Sequence, residues 1–228
     1  MGFVVKNTTK CGVLDLLCPH TCRGCGRLGE ILCGCCKNNI DLGEMRICPL
    51  CKEIVASSSK ICVNCEMPFG AVFVGGWKEG VLGDLVKEYK YKAVRAIGEV
   101  LVEILDKRIG KLEGEVVVVP LPTIGRHVRE RGFDHTWVLG KKLAKQRGWR
   151  CERILERAAD TVQVGAQAVE RQKQAEKAYM VGRKVDPVRQ YLLLDDVWTT
   201  GASLLSAAKV MKSAGAKVVL AAVVVTGR

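Results

Sequence analysis

Eleven of the chain's twelve cysteines lie between Cys11 and Cys65, and eight of them recur as pairs three positions apart: Cys22 with Cys25, Cys33 with Cys36, Cys48 with Cys51 and Cys62 with Cys65. A Cys-x-x-Cys turn aims two sulfurs at one point, and tetrahedral Zn2+ is completed by two such turns, so four turns make two sites, for one or two structural zinc ions. Sequential pairing gives Cys22, Cys25, Cys33 and Cys36 to one ion and Cys48, Cys51, Cys62 and Cys65 to the other; a cross-braced pairing fits the same spacing. Cys11, Cys18 and Cys35 fall outside the pattern as spare or buried thiols, although Cys35 could replace its neighbour Cys36 as a ligand. A disulfide framework or a redox pair is the competing reading, but disulfides belong to oxidising compartments. The opening MGFVVKNTTKCGVLDLLCPH has neither a sustained apolar stretch nor a small-residue cleavage site for export. The expected compartment is the cytoplasm. So short a segment, poor in large apolar residues, cannot offset its chain entropy by burial, so a structural metal is expected to supply folding free energy.

From Ala71 the text alternates apolar runs with charged stretches, and only Cys151 interrupts the absence of cysteine. The 228 residues therefore read as two domains, 1–70 cysteine-rich and zinc-binding, 71–228 larger. Of the formal net charge of +12, residues 1–70 carry +2 and the rest +10. The excess predicts attraction to polyanions without naming one. No run reaches the roughly 18 apolar residues of a membrane span.

Within the larger domain, AVFVGG predicts a strand. The stretch from Gly80 to Ile109 carries apolar residues at helical spacing, as two helices broken near Lys92. EVVVVPLP is a β-branched run ended by prolines, as in a central parallel strand. DHTWVLGKKLAKQRGW and ASLLSAAKVMKSA predict helices, RQYLLLDD and AKVVLAAVVV buried strands. This alternation predicts an α/β domain with a mainly parallel sheet flanked by helices, in which ligands bind beyond the carboxyl ends of the strands. There, after Leu192, Leu193 and Leu194, stand Asp195 and Asp196, and then Thr199, Thr200, Gly201, Ala202 and Ser203 lead into a helix. A helix amino terminus preceded by small residues can wrap a phosphate. Two carboxylates beside a phosphate suit sugar hydroxyls, a divalent metal, or both; an ordinary capped turn is the plainer reading of either half alone.

The stretch LLLDDVWTTGAS resembles the phosphoribosyltransferase signature. That resemblance implies that Asp195 and Asp196 hold the ribose hydroxyls of phosphoribosyl pyrophosphate, and that Thr199, Thr200, Gly201, Ala202 and Ser203 hold its 5′-phosphate. Joined to the cysteine-rich beginning it narrows to the ComF family, the competence and GntX-like proteins. The segment LVKEYKYKAVRAIGEVLVEIL is similar to that family's LKY element, with Lys90 and Tyr91 the matched pair, and VPLPTIGRHVRERGFDHT to its Pro-x-Pro loop and Arg-Gly-Phe-Asn-Gln. Asp134 and His135 replace the Asn-Gln, Gln174 the usual Asn, and Tyr179 the usual Phe. Carried over, Pro120, Leu121, Pro122 and Thr123 cradle pyrophosphate. Arg131, with Mg2+, stabilises the leaving group as the glycosidic bond loosens. Asp195, Asp196 and Arg131 are thus the candidate catalytic residues, and His127 and His135 are expected at the surface.

The resemblance implies a cytoplasmic protein that binds phosphoribosyl pyrophosphate with Mg2+, acts in DNA uptake, and transfers the phosphoribosyl group to an unidentified acceptor. The alternative is a non-catalytic accessory that binds single-stranded DNA on the same scaffold. Lys141, Lys142, Lys145, Arg147, Arg150 and Arg153 would contact phosphates, and Trp137, Trp149 or Trp198 would stack on bases. Trp198 is expected to resist complete burial. A third reading makes the cysteine region a protein-docking module, for instance toward the uptake machinery.

Overall fold

Apolar runs at Val116–Pro120, Gln190–Trp198 and Val218–Thr226 form the middle of a five-stranded sheet in a computed structural model of the chain. The structure describes residues 20–40, 46–48, 51, 53–55, 65, 67–92, 94, 96–158 and 178–227. Two compact units divide between Asn39 and Ile40. In the first, the described chain turns through Gly26, with Cys22 N–H donating to Arg27 O at 2.8 Å, and enters helix α1, Gly34–Asn39.

In the second, a short antiparallel pair, β1 (Arg46–Ile47) and β2 (Ile54–Val55), precedes the sheet domain. There follow β3 (Ala71–Trp77), α2 (Val81–Tyr91), α3 (Ile97–Ile109), β4 (Val116–Pro120), α4 (Gly125–Arg131), α5 (His135–Arg147), β5 (Arg150–Cys151), β6 (Leu155–Arg157), β7 (Tyr179–Val181), β8 (Gln190–Trp198), α6 (Ala202–Ser213) and β9 (Val218–Thr226). The sheet order is β3-β9-β8-β4-β5, every pair parallel, and β6 pairs antiparallel with β7. The expected α/β class and the helix break near Lys92, which caps α2, are both present.

Strands buried on both faces read as near-continuous hydrophobic runs, as β4, β8 and β9 do. On one face Tyr191 and Leu193 pack with Leu204, Ala207, Ala208 and Met211 of α6 and with Tyr179 of β7. On the other lie α2, α3 and α5; Gly140 of α5 sits so close to Pro120 and Leu194 that a side chain there would strike the proline ring. Asp134 opens α5, its Oδ1 accepting from Trp137 N–H at 3.2 Å, and left-handed Gly148 closes it. No helix among the described residues is long and apolar enough to cross a membrane.

Candidate functional site

The site begins where β4 stops and β8 does not. Their pairing ends at Pro120 with Leu194, and Leu121 N–H still reaches Leu194 O at 2.9 Å, whereas β8 stays paired with β9 through Trp198 and Thr226. Asp195 and Asp196 therefore lie inside the strand rather than just beyond it, on a stretch whose β4 side is open. Alternation sends successive side chains to opposite faces. Asp196 faces the α2 and α5 layer and is buried, and Asp195, half-buried, stands near Tyr179 on the α6 side.

Asp196 is enclosed by two nitrogen donors. Lys90 Nζ, at the end of α2, is 2.6 Å from its Oδ2, and His135 Nε2, at the start of α5, is 3.2 Å away. Neither contact is well aligned, but each brings a donor to Oδ2, Lys90 its ammonium and His135 a ring nitrogen. Burial alone would raise the Asp196 carboxyl, but His135 and Lys90 outweigh it and hold the group below the usual carboxylate range. Burial and the neighbouring Asp196 charge push Asp195 the other way, well above that range. The pair thus shares its charge unequally.

The loop after the acids has an anion-ready geometry. Gly201 is left-handed, φ 76°, and a side chain there would run into the Trp198 indole. It starts α6 with no side-chain cap. Thr199, Thr200 and Ser203 are exposed, and Ala202 N–H reaches the Thr200 hydroxyl at only 3.4 Å. Among the described residues the two buried side-chain polar atoms lacking an aligned hydrogen-bond partner are Asp196 Oδ2 and Trp198 Nε1, both in this one stretch. Oδ2 is met by its contacts with Lys90 and His135, which leaves Trp198 Nε1 as the one without a partner among the described residues.

Pro120, Leu121, Pro122 and Thr123 join β4 to α4 and are tied to the start of α5. The Thr123 hydroxyl donates to Asp134 Oδ1 at 3.1 Å, and the Thr136 hydroxyl donates to Leu121 O at 2.9 Å. Arg131 ends α4, hydrogen-bonds His135 Nδ1 at 3.2 Å and lies 5.1 Å from the centroid of exposed Tyr91. Its contacts lead to the acids through His135 rather than to the proline loop.

Two expectations are corrected. His135 is 3% exposed, not at the surface, because it shares the buried face of α5 with Leu139 and Leu143, one and two i+4 steps on. That spacing was a signal the sequence offered. Trp198 is also fully buried, edge-on to Phe69 with centroids 6.1 Å apart, because β8 continues past the acids into the core. Tyr179, singled out in the sequence only as the residue in place of the usual Phe, also reaches the site: burial and then Asp195 raise its pKa, and Arg157 lies 5.6 Å over its ring while donating to Pro122 O at 3.5 Å. Tyr179 arrives at the acids from β7, a separate strand, which no local pattern announces.

The cysteines form two clusters. The sulfurs of Cys22, Cys25, Cys33 and Cys36 all lie within 4.8 Å of one another, and so do those of Cys48, Cys51 and Cys65; Cys62 lies outside the described residues. The sequential grouping, not the cross-braced one, is what the structure brings together. The Cys25 and Cys33 sulfurs are 3.7 Å apart, close to the ~3.8 Å edge of a zinc–sulfur tetrahedron. Backbone N–H groups of Cys33 and Cys25 pull the Cys22 thiol down to about 6, the thiolate form a metal takes. Both clusters can hold zinc.

No family model matches the chain. A curated relative, Competence protein F of Haemophilus influenzae, is 25% identical over 215 residues, which cover 87% of this chain and 91% of that protein. Among solved structures, the allosteric regulatory enzyme of purine biosynthesis aligns with a TM-score of 0.39, and a glutamine phosphoribosylpyrophosphate amidotransferase from B. subtilis complexed with ADP and GMP with 0.40. Each is 16% identical over 60% of this chain, which spans 30% of theirs. In sequence the chain is thus similar, along nearly its whole length, to a curated competence protein.

Proposed function

We propose that the chain binds the ribose 5-phosphate part of phosphoribosyl pyrophosphate together with Mg2+, in the cytoplasm, and serves DNA uptake in natural transformation. The observation that carries the reading is the coincidence of a half-buried carboxylate, Asp195, a buried Trp198 indole N–H without a partner and an uncapped helix amino terminus within Asp195–Ser203. Asp195 accepts from ribose hydroxyls, and the N–H groups at the start of α6, with Thr199, Thr200 and Ser203, hold the 5′-phosphate. Pro120–Thr123 and Arg131 lie on the pyrophosphate side. Mg2+, when bound, supplies neutralising charge for the pyrophosphate; Asp195 is the accessible carboxylate suited to it, since Asp196 is already occupied by Lys90 and His135. The reaction such a site serves is displacement of pyrophosphate by a nucleophile at the ribose anomeric carbon. The competence relative supports the cellular role. In this reading residues 1–70 carry structural zinc and 71–228 the phosphoribosyl site.

The DNA-binding alternative is the weaker one. Lys142 pairs with Glu99 at 2.9 Å, Arg147 with Asp106, and Arg150 with Glu115 at 4.0 Å, while Arg153 lies 4.4 Å over Trp137 and Arg147 5.1 Å over Trp149. Four of the six cations and two of the rings that would meet DNA are engaged within the chain. The test is a pyrophosphate-release screen with phosphoribosyl pyrophosphate and Mg2+ over nucleobases, amines and single-stranded DNA. Release with one acceptor class identifies the transfer; binding of DNA at physiological salt without any binding of phosphoribosyl pyrophosphate favours the alternative.

A further inference from the structure

His135 has no role in the site as the sequence presents it, yet it is the hub of the buried charges. Its ring is 3% exposed, its Nε2 stands 3.2 Å from Asp196 Oδ2, and its Nδ1 3.2 Å from an Arg131 guanidinium nitrogen. Arginine can only donate, so Nδ1 is the acceptor, and the single ring proton is on Nε2, directed at the carboxylate. The imidazole is the neutral Nε2–H tautomer, fixed from both sides. A third contact holds its backbone: the Tyr89 hydroxyl donates to His135 O at 3.0 Å. The charged groups facing it are Asp196 from β8, Lys90 from α2 and Arg131 from α4.

We propose that His135 is a positioning residue for the acidic pair: it orients Asp196 through Nε2, and Arg131 orients it through Nδ1, leaving Asp195 as the acid that meets the ligand. The geometry divides the two carboxylates by face. Asp196 is turned toward Lys90 and His135, whereas Asp195, on the opposite face, is turned toward Tyr179. A carboxylate held by two donors is kept at one torsion and one charge, which fixes the backbone from which its neighbour projects. The arrangement also couples the far side of the site to the acids, because any ligand that draws the Arg131 guanidinium toward itself takes away the Nδ1 partner. A neutral carboxamide has the same polarity, one end donating and the other accepting, so glutamine can stand in for this tautomer and leucine cannot.

The inference rests on the phosphoribosyl pyrophosphate reading, and the experiment separates the two. Wild type, His135→Gln and His135→Leu, each checked for zinc content and circular dichroism, are titrated with phosphoribosyl pyrophosphate and Mg2+. Loss of one hydrogen bond to a charged group corresponds to about a tenfold change in affinity; the leucine variant is expected to bind at least that much more weakly, and the glutamine variant within about threefold of wild type. Long-range 15N–1H correlation on the wild type is expected to show His135 as the neutral Nε2–H tautomer, with its Nδ1 resonance moving when ligand is added. This readout survives if the leucine variant fails to fold. Wild type that binds, with a leucine variant equal to it or an Nδ1 resonance unmoved by ligand, overturns the positioning role alone. Wild type that does not bind overturns the functional reading and the inference together.

Discussion

Between His20 and Ile40 the described chain buries only Cys22, Ile31, Leu32 and Cys33, whereas β8 and β9 bury Tyr191–Leu194 and Val219–Thr226 without a break. The cysteine region and the sheet therefore reach order by different routes. Four sulfurs within 4.8 Å of one another can hold zinc, and an ion there would supply the order that the first lacks in apolar burial. The second is organised by apolar surface removed from water on both faces of a parallel sheet. The difference teaches where each region is vulnerable: one to a chelator, the other to a missing methyl group.

The largest expected effect breaks the comparison if it fails. Metal chelation removes a binding free energy on the order of 10 kcal/mol per structural zinc, so amide exchange in residues 20–40 should become fast while β4, β8 and β9 stay protected. Loss of protection in both regions at once would show that the sheet, too, depends on metal. The converse experiment is Leu193→Ala, which opens a cavity between β8 and α6 and should cost about 2–5 kcal/mol in denaturant unfolding without changing zinc stoichiometry.

Smaller effects sharpen the comparison at the site. Gly201→Ala places a side chain on a left-handed residue against the Trp198 indole. It should cost roughly 1–3 kcal/mol in stability and weaken phosphate-bearing ligands more than free ribose, measured by thermal unfolding and by titration. Asp195→Asn should do the reverse for stability. The native Asp195 carboxyl is raised, so the folded state holds a proton that the unfolded state releases; its contribution to stability therefore declines as pH rises from the ordinary carboxylate range through the folded value. The asparagine variant should melt a few degrees above wild type at pH 8, with the gap closing toward pH 4. A gap that widens at low pH would mean the carboxylate is stabilised, not strained, by its surroundings.

Much of this was legible in the chain. The strand runs at Val116–Pro120 and Val218–Thr226, the two helices broken at Lys92 and the Asp134 and Gly148 boundaries of α5 follow from local periodicity and capping, which need no distant partner. The pairing of Cys22, Cys25, Cys33 and Cys36 needed only to be chosen between two spacings. What sequence reasoning missed depends on register between separated elements. The extension of β8 past β4 buries Trp198, and the placement of α5 against β8 turns His135 inward to Asp196. Lys90 was legible as part of a resemblance, but its 2.6 Å contact with Asp196 joins residues 106 positions apart, a distance no local pattern bridges.

The central claim is that Asp195–Ser203 is a ribose-phosphate site. Calorimetric titration of phosphoribosyl pyrophosphate with Mg2+ into the zinc-loaded protein, beside the same titration of Asp195→Asn, tests it most directly. The account predicts saturable one-site binding to wild type, weakened at least about tenfold in the variant. No heat of binding in the wild type, or equal affinity in the two proteins, would contradict it.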